Sequence, residues 1–206
     1  MDYKYIYQAA GKPAAYTLLL LHGTGGDETD LIPLAGEFGQ GFNILSLRGN
    51  VSEGGMPRFF RRLGMGVFDE QDLTLRTHQM VAFIKELATK ENFDASKVIA
   101  LGYSNGANIA GSALLLYPGW LAGAILYRPM QPFKQIDPTI RTPRPVPVFM
   151  SNGSSDPTIR PQDTAAYVAA LKTAGYDVSD HVLSAGHNLT QQDLRLSVDW
   201  FKTNFQ

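Results

Sequence analysis

The chain opens on alternation. Tyr3, Tyr5 and Tyr7 fall on every second position, the spacing of a half-exposed strand with its aromatics on one face. After a turn expected over Gly11 to Pro13, "AYTLLLLHG" is an unbroken apolar run ending in glycine, which suits a strand buried on both faces of a parallel sheet. The pattern then changes period and repeats. "DETDLIPLAGEF" predicts a short helix and "FNILSLRG" another buried strand. Glu70 to Lys90 carries helical apolar spacing at Leu73, Val81, Ile84, Leu87 and Ala88. The strand "KVIALGY" follows, then a helix opening at Asn105, the strands "LAGAILY" and "VPVFMSNG", a helix over Pro161 to Ala174, the strand "DVSDHVLSA" and a last helix over Leu189 to Phe205.

Strands alternating with helices predict an open, mostly parallel sheet with helices on both faces, an α/β sandwich. At 206 residues the chain is expected to be one domain, residues 1–206. Two connections stand out, Arg48 to Phe68 and Arg128 to Pro145, and the latter is expected to be too short for a separate helical cap domain. Ligands of open parallel sheets bind beyond the carboxyl ends of the strands, so the chemistry is expected just after each apolar run.

Composition narrows the partners. With 18 Lys and Arg against 19 Asp and Glu, the net charge of −1 offers no broad attraction to nucleic acid or anionic lipid. The absence of cysteine excludes disulfides, thiolate zinc sites and a cysteine nucleophile, and it suits a reducing compartment. "MDYKYIYQAA" has neither the basic nor the apolar region of a secretory signal, and no apolar run approaches a membrane span. The chain therefore reads as a soluble cytoplasmic protein with no stable membrane insertion.

"Gly102-Tyr103-Ser104-Asn105-Gly106" has the form G-x-S-x-G, directly between a strand and a helix. There a serine sits on a tight corner that exposes its Oγ, the glycines admit neighbouring backbone, and the following helix turns its positive end towards any anion that forms. A serine before a helix is also a common N-cap, so the motif needs partners.

A serine hydroxyl is a weak nucleophile without a base, itself oriented by an acid. Of the four histidines, His187 in "SAGHNLT" lies in the loop after the last strand, at the sheet edge of Ser104. His181 falls inside that strand, His78 inside a helix, and His22 at the end of a strand, where it is expected to be structural. For the acid, Asp156 in "SSDPT" follows the strand "PVPVFMSNG", whereas the preceding strand ends in Arg128 and Asp137 lies farther along a proline-rich loop. Asp156 before proline also reads as a turn residue, and His187 as a surface histidine. The order Ser, Asp, His is that of the nucleophile elbow.

Acyl transfer further needs donors for an oxyanion, worth about 2.7–4 kcal/mol each. The backbone N–H of Asn105 is one, and the turn "His22-Gly23-Thr24-Gly25-Gly26" is suited to supply another at Thr24. That turn lacks the lysine and spacing of a phosphate loop.

"LLLHGTGGDETDL", "GYSNGANIA", "SNGSSDPTI" and "SAGHNLT", in this order, resemble the α/β-hydrolase superfamily over essentially the whole chain, and within it the phospholipase/carboxylesterase family that includes acyl-protein thioesterases. The resemblance implies a cofactor-free serine hydrolase acting on a small-molecule ester, with Ser104 as nucleophile, Asp156 as acid, His187 as base and Thr24 and Asn105 as oxyanion donors. It holds out a homodimer by analogy. "LRGNVSEGGMPRFFRRLGMGVFDEQDL" is closer to a bacterial carboxylesterase branch. In this loop Arg58, Arg61 and Arg62 are candidates for binding an anionic part of the substrate, and Met56, Phe59, Phe60 and Met65 for lining a pocket. The competing reading pairs the arginines with Glu53, Asp69, Glu70 and Asp72 and packs the aromatics inside the loop. Thioester or lysophospholipid cleavage would use the same triad. A non-catalytic binder would be expected to lack a triad member, and a metal-dependent hydrolase would need clustered ligands such as H-E-x-x-H, which the sequence lacks.

Overall fold

The computed structural model describes residues 3–12 and 15–206. Eleven strands and five helices are seen among them. Seven strands form one sheet: β1 (Tyr5–Gln8), β2 (Thr17–Leu21), β3 (Asn43–Leu47), β8 (Val98–Tyr103), β9 (Gly123–Tyr127), β10 (Val146–Gly153) and β11 (Tyr176–Leu183). Their order is β1-β3-β2-β8-β9-β10-β11, with β1 antiparallel to β3 and every other pair parallel. This is the α/β-hydrolase arrangement expected from the sequence. The turn expected at Gly11 to Pro13 runs into Pro13, which lies outside the described residues.

The unbroken run of β2 follows from its central position. Leu19 and Leu21 enter the core on one face of the sheet while Leu18 and Leu20 enter the core on the other, so no position is left for a polar residue. The first face is covered by α2 (Glu70–Lys90), α3 (Asn105–Leu116) and α4 (Pro161–Thr173), and the second by α1 (Ile32–Gly36) and α5 (Gln191–Phe205). α2 has the bounds its periodicity predicts. Its N-cap Asp69 accepts the Asp72 N–H at 3.1 Å, its last turn carries Lys90, and its buried stripe includes Leu73, Val81, Ile84 and Leu87. Each such side chain contributes about 1.5–3 kcal/mol on burial.

The Arg48–Phe68 connection holds two hairpins that the pattern did not predict. β4 (Val51–Glu53) pairs with β5 (Met56–Arg58), and β6 (Arg62–Gly64) with β7 (Val67–Phe68). The first turns at Gly54 and Gly55, both at positive φ (57° and 86°), which the mirror-image hairpin turns require and glycine adopts without strain. Among the described residues, no helix is long and apolar enough to cross a membrane.

Candidate active site

β8 ends against α3 in a corner with almost no free volume. A β-carbon at Gly106 would run into the Leu21 carbonyl, and one at Gly102 into the backbone of Gly106 and Ala107, so both positions of the motif demand glycine. Ser104, between them, has φ 51° and ψ −110°, a conformation a non-glycine residue holds at a cost of about 1–3 kcal/mol. Its N–H donates to the Tyr127 carbonyl at 2.9 Å, and its carbonyl accepts the Asn108 N–H at 2.9 Å. Its hydroxyl makes no capping bond to α3, so the N-cap explanation does not account for the serine.

That hydroxyl lies 2.9 Å from Nε2 of His187, whose Nδ1 lies 2.6 Å from Oδ2 of Asp156. The three side chains come from the ends of β8, β10 and β11, strands of one parallel array. Asp156 also serves its own turn: Oδ1 accepts from the Thr158 N–H at 2.9 Å and from its hydroxyl at 2.7 Å. The same aspartate-turn motif recurs at Asp27, Asp94 and Asp137. What separates Asp156 is the second carboxylate oxygen, which faces a histidine. Burial pushes its pKa up, but the Thr158 bonds and His187 outweigh this and hold it below the ordinary carboxylate range. An ionised Asp156 accepts a hydrogen bond from the Nδ1–H, which keeps the proton on that nitrogen and leaves the Nε2 lone pair for the serine hydroxyl.

The glycine-rich turn after β2 is fixed by the Arg48–Phe68 loop. The ring of His22 donates from Nδ1 to the Gly23 carbonyl at 2.6 Å and accepts the Gly49 N–H at Nε2 at 2.9 Å. This requires a neutral ring, and burial lowers its pKa in that direction. The Gly25 N–H donates to the Pro57 carbonyl at 2.9 Å, and Arg48 pairs with Asp27 and Glu28 just past the turn. Thr24 therefore sits in a braced loop. Asn105 is the first residue of α3, where a backbone N–H has no intrahelical acceptor. Its side chain has a separate task, accepting the Phe59 N–H at 2.7 Å and so stitching the long loop to the serine corner.

The residues expected to meet substrate divide sharply. Phe59 and Phe60 are fully buried in the main core, Phe59 with its ring 4.8 Å from that of His22, so neither lines an open pocket. Arg58 is buried too. Its Nη1 donates to the Thr24 hydroxyl, its Nε donates to the Phe60 carbonyl at 3.1 Å, and Glu53 pairs with it at 3.2 Å, so it braces the turn instead of facing solvent. Arg61 is exposed but pairs with Asp69 at 3.0 Å and Asp72 at 3.6 Å, and Arg62 with Glu53 at 2.7 Å. Three of the four carboxylates expected as partners are thus used, while Glu70 instead accepts the Lys134 N–H. Met56 is exposed beside Gly25.

Met65 does line a cleft. An opening of about 470 Å³ lies between the β6–β7 hairpin, the loop after β9 and the loop after Asp156, with Met65, Phe68, Met130, Phe133 and Ile159 as apolar walls. It reaches the candidate triad through Thr158, whose hydroxyl is 3.3 Å from His187 Nδ1. The wall from the loop after β9 was not foreseen, nor was Thr158, although an aspartate followed two residues later by threonine is a readable turn signal. Among the described residues, no three His, Asp or Glu side chains cluster so as to hold a metal ion.

Comparison with known proteins bears on the fold and the family. The Phospholipase/Carboxylesterase family matches residues 2–204. The putative hydrolase MhqD of Bacillus subtilis is 42% identical over 199 residues, covering 97% of this chain and 98% of that protein. The crystal structure of the Bacillus cereus carboxylesterase superposes with a TM-score of 0.94 at 40% identity, covering 98% of this chain and 95% of that one. A carboxylesterase from Mesorhizobium loti follows at a TM-score of 0.87 and 30% identity, covering 97% and 94% of the two chains. With its fold, its whole length and its serine corner all pointing the same way, the chain belongs to the Phospholipase/Carboxylesterase family and is an ester hydrolase of the α/β-hydrolase fold.

Proposed function

We propose that this protein hydrolyses small or short-chain carboxylic esters through an acyl-enzyme formed on Ser104. The observation that carries the reading is the unbroken hydrogen-bond chain from Asp156 to His187 to Ser104, at 2.6 and 2.9 Å, ending on a serine held at a strained corner. His187 Nε2 takes the hydroxyl proton as Ser104 Oγ bonds to the ester carbonyl carbon. The carbonyl oxygen then carries the negative charge, and the backbone N–H groups of Thr24 and Asn105 are its donors, aided by the positive end of α3. The intermediate collapses as the C–O bond to the alcohol breaks and His187 returns the proton to the departing oxygen. Water repeats the sequence on the acyl-serine, releasing the acid. Asp156 holds the imidazole in one tautomer and stabilises its protonated form.

The cleft beside Thr158 takes the larger side group of the ester. Its volume of about 470 Å³ stands at the lower end of the roughly 300–1,000 Å³ usual for small-molecule sites, which favours short substrates. The cysteine-free sequence accords with a reducing, cytoplasmic setting.

A fluorophosphonate, followed by mass spectrometry of the adduct, tests the nucleophile, and p-nitrophenyl esters of graded length test the cleft. The expected result is stoichiometric labelling at Ser104, abolished in Ser104→Ala, with turnover falling as the acyl chain outgrows the cleft. Folded wild-type protein that takes no label would remove the basis of the proposal.

A further inference from the structure

Arg128 is the residue that the proposed chemistry leaves without a task. It follows β9, its side chain is 0% exposed, and its φ of 54° lies in the left-handed region that a non-glycine side chain resists. A buried guanidinium is also costly unless every N–H is used. Two unfavourable features at one position call for contacts that need this side chain here.

Asp193 supplies the charge. Arg128 Nη1 donates to Oδ1 at 2.7 Å and Nη2 to Oδ2 at 2.8 Å, a two-pronged pair. Asp193 is itself fixed as the third residue of α5, where it accepts the Thr190 N–H and hydroxyl, each at 2.8 Å, and the Ser151 hydroxyl at 2.6 Å. An ion pair alone does not explain the placement, because apolar residues of similar volume fill a core about as well. The other contacts do. Arg128 Nε donates to the Gly186 carbonyl at 3.1 Å, and Nη2 also donates to the Asn188 carbonyl at 2.8 Å. The carbonyl between them belongs to His187 and accepts the Tyr103 hydroxyl at 3.1 Å. Three consecutive carbonyls centred on His187 are therefore each held from outside. The loop that carries them has no sheet or helix ladder of its own between β11 and α5.

We infer that Arg128, locked by Asp193, and Tyr103 are positioning residues that hold the His187 loop at the one setting from which its imidazole meets both Ser104 and Asp156. The inference rests on the proposed triad. Both side chains act through the backbone around His187, not on the reacting atoms. Tyr103 couples the two halves of the site directly, since it precedes Ser104 in the chain and its ring packs 5.5 Å from that of His187. Lysine at 128 would keep the charge but has no planar fork with which to span two carbonyls and a carboxylate together.

The test compares Arg128→Lys, the charge-free pair Arg128→Met/Asp193→Leu, and Tyr103→Phe. For each, kcat and KM on a p-nitrophenyl ester are measured with Tm and with the low-field proton resonance of the His187 Nδ1–H, assigned by its loss in His187→Gln. Displacing a reacting group by about 1 Å costs on the order of 100-fold in rate. Both Arg128 variants are expected to lower kcat by about that factor with KM within about twofold, and to broaden or remove the resonance. Tyr103→Phe is expected to lower kcat by about tenfold with Tm unchanged, as one of three anchors is lost. Native kcat and a native resonance in Arg128→Lys would show that only the charge matters and would overturn the inference. Should the Arg128 variants not fold, an unaltered kcat in Tyr103→Phe overturns it as well. Wild-type protein that shows the resonance but neither labels nor turns over ester would fault the proposed reaction, and the resonance in the variants would still decide the clamp.

Discussion

The loop that carries His187 and the loop from Arg48 to Phe68 flank the same corner and are held in opposite ways. In the first, Arg128, itself fixed by Asp193, and Tyr103 grip three consecutive carbonyls, and the gripping atoms are mostly buried. In the second, the base is held by buried groups and the hairpin beyond it by the partly exposed Arg62–Glu53 pair. Phe59, Phe60 and Arg58 are buried and tied to the serine corner and the glycine-rich turn, while the β6–β7 hairpin beyond them leaves Leu63 74% and Met65 71% exposed. The difference separates two demands. Groups that move protons tolerate little displacement, whereas a wall that meets variable side groups of a substrate gains from being loosely held. Three substitutions probe that contrast at descending cost.

The largest effect is expected at the centre of the tightly held region. Asp156→Asn keeps the shape and the turn but removes the charge that selects the imidazole tautomer. A carboxamide can present its NH2 group to Nδ1, which leaves the proton on Nε2, facing the serine, where it cannot act as base. kcat is expected to fall by about 10⁴-fold with KM nearly unchanged. The measurement is steady-state hydrolysis of a p-nitrophenyl ester alongside the fluorophosphonate labelling rate. A loss of under about tenfold would mean that the 2.6 Å contact between Asp156 and His187 has no part in the reaction.

At the buried base of the second loop, Arg58→Met is expected to act on both stability and rate. It frees Thr24 from its brace and leaves the Phe60 carbonyl and Glu53 short of a donor. Loss of a hydrogen bond to a charged group costs about 1.5–3 kcal/mol, so Tm falls by several degrees for a chain of this size. Because the proposed oxyanion donor, the Thr24 N–H, then loses its bracing, kcat is expected to fall by about 10- to 100-fold. If instead Arg58 bound an anionic substrate, KM for anionic esters alone would rise while Tm held. The two outcomes are separable in one thermal melt and one pair of substrates.

How far these regions could be read in advance tracks the range of the interactions that build them. α2 was legible to the residue because its stripe and caps are local, and β2 because a strand buried on both faces leaves an unbroken run. Ser104, Asp156 and His187 were legible because each follows a predicted strand of one parallel sheet, which brings their ends to a common edge. Whether Phe59 and Phe60 point into a pocket or into the core was not, since that depends on Asn105 capturing the Phe59 N–H from 46 residues away. The role of Arg128 is equally hidden, since its partner Asp193 stands 65 residues later. Two local signals were nonetheless present. Gly54-Gly55 marks a hairpin turn, and Thr190 with Asp193 forms a capping box that fixes where α5 begins.

The smallest effect belongs to the exposed hairpin, and it sharpens the contrast most. Met65 lines the cleft, and its sulfur lies 3.4 Å from Nη1 of Arg62. At 71% exposure its truncation removes little buried area, so Met65→Ser is expected to leave Tm within about 1 °C, as surface substitutions stay within about ±0.5 kcal/mol. What changes is the apolar wall a substrate touches. Each methylene of an acyl chain buried there contributes about 0.8 kcal/mol when fully covered, and a half-open cleft realises only part of that. KM for a butyryl or hexanoyl ester is therefore expected to rise about two- to fivefold while the acetyl ester, too short to reach the hairpin, is unaffected. A uniform drop in kcat across all chain lengths would instead place Met65 among the groups that position the chemistry and erase the division between a gripped loop and a yielding one.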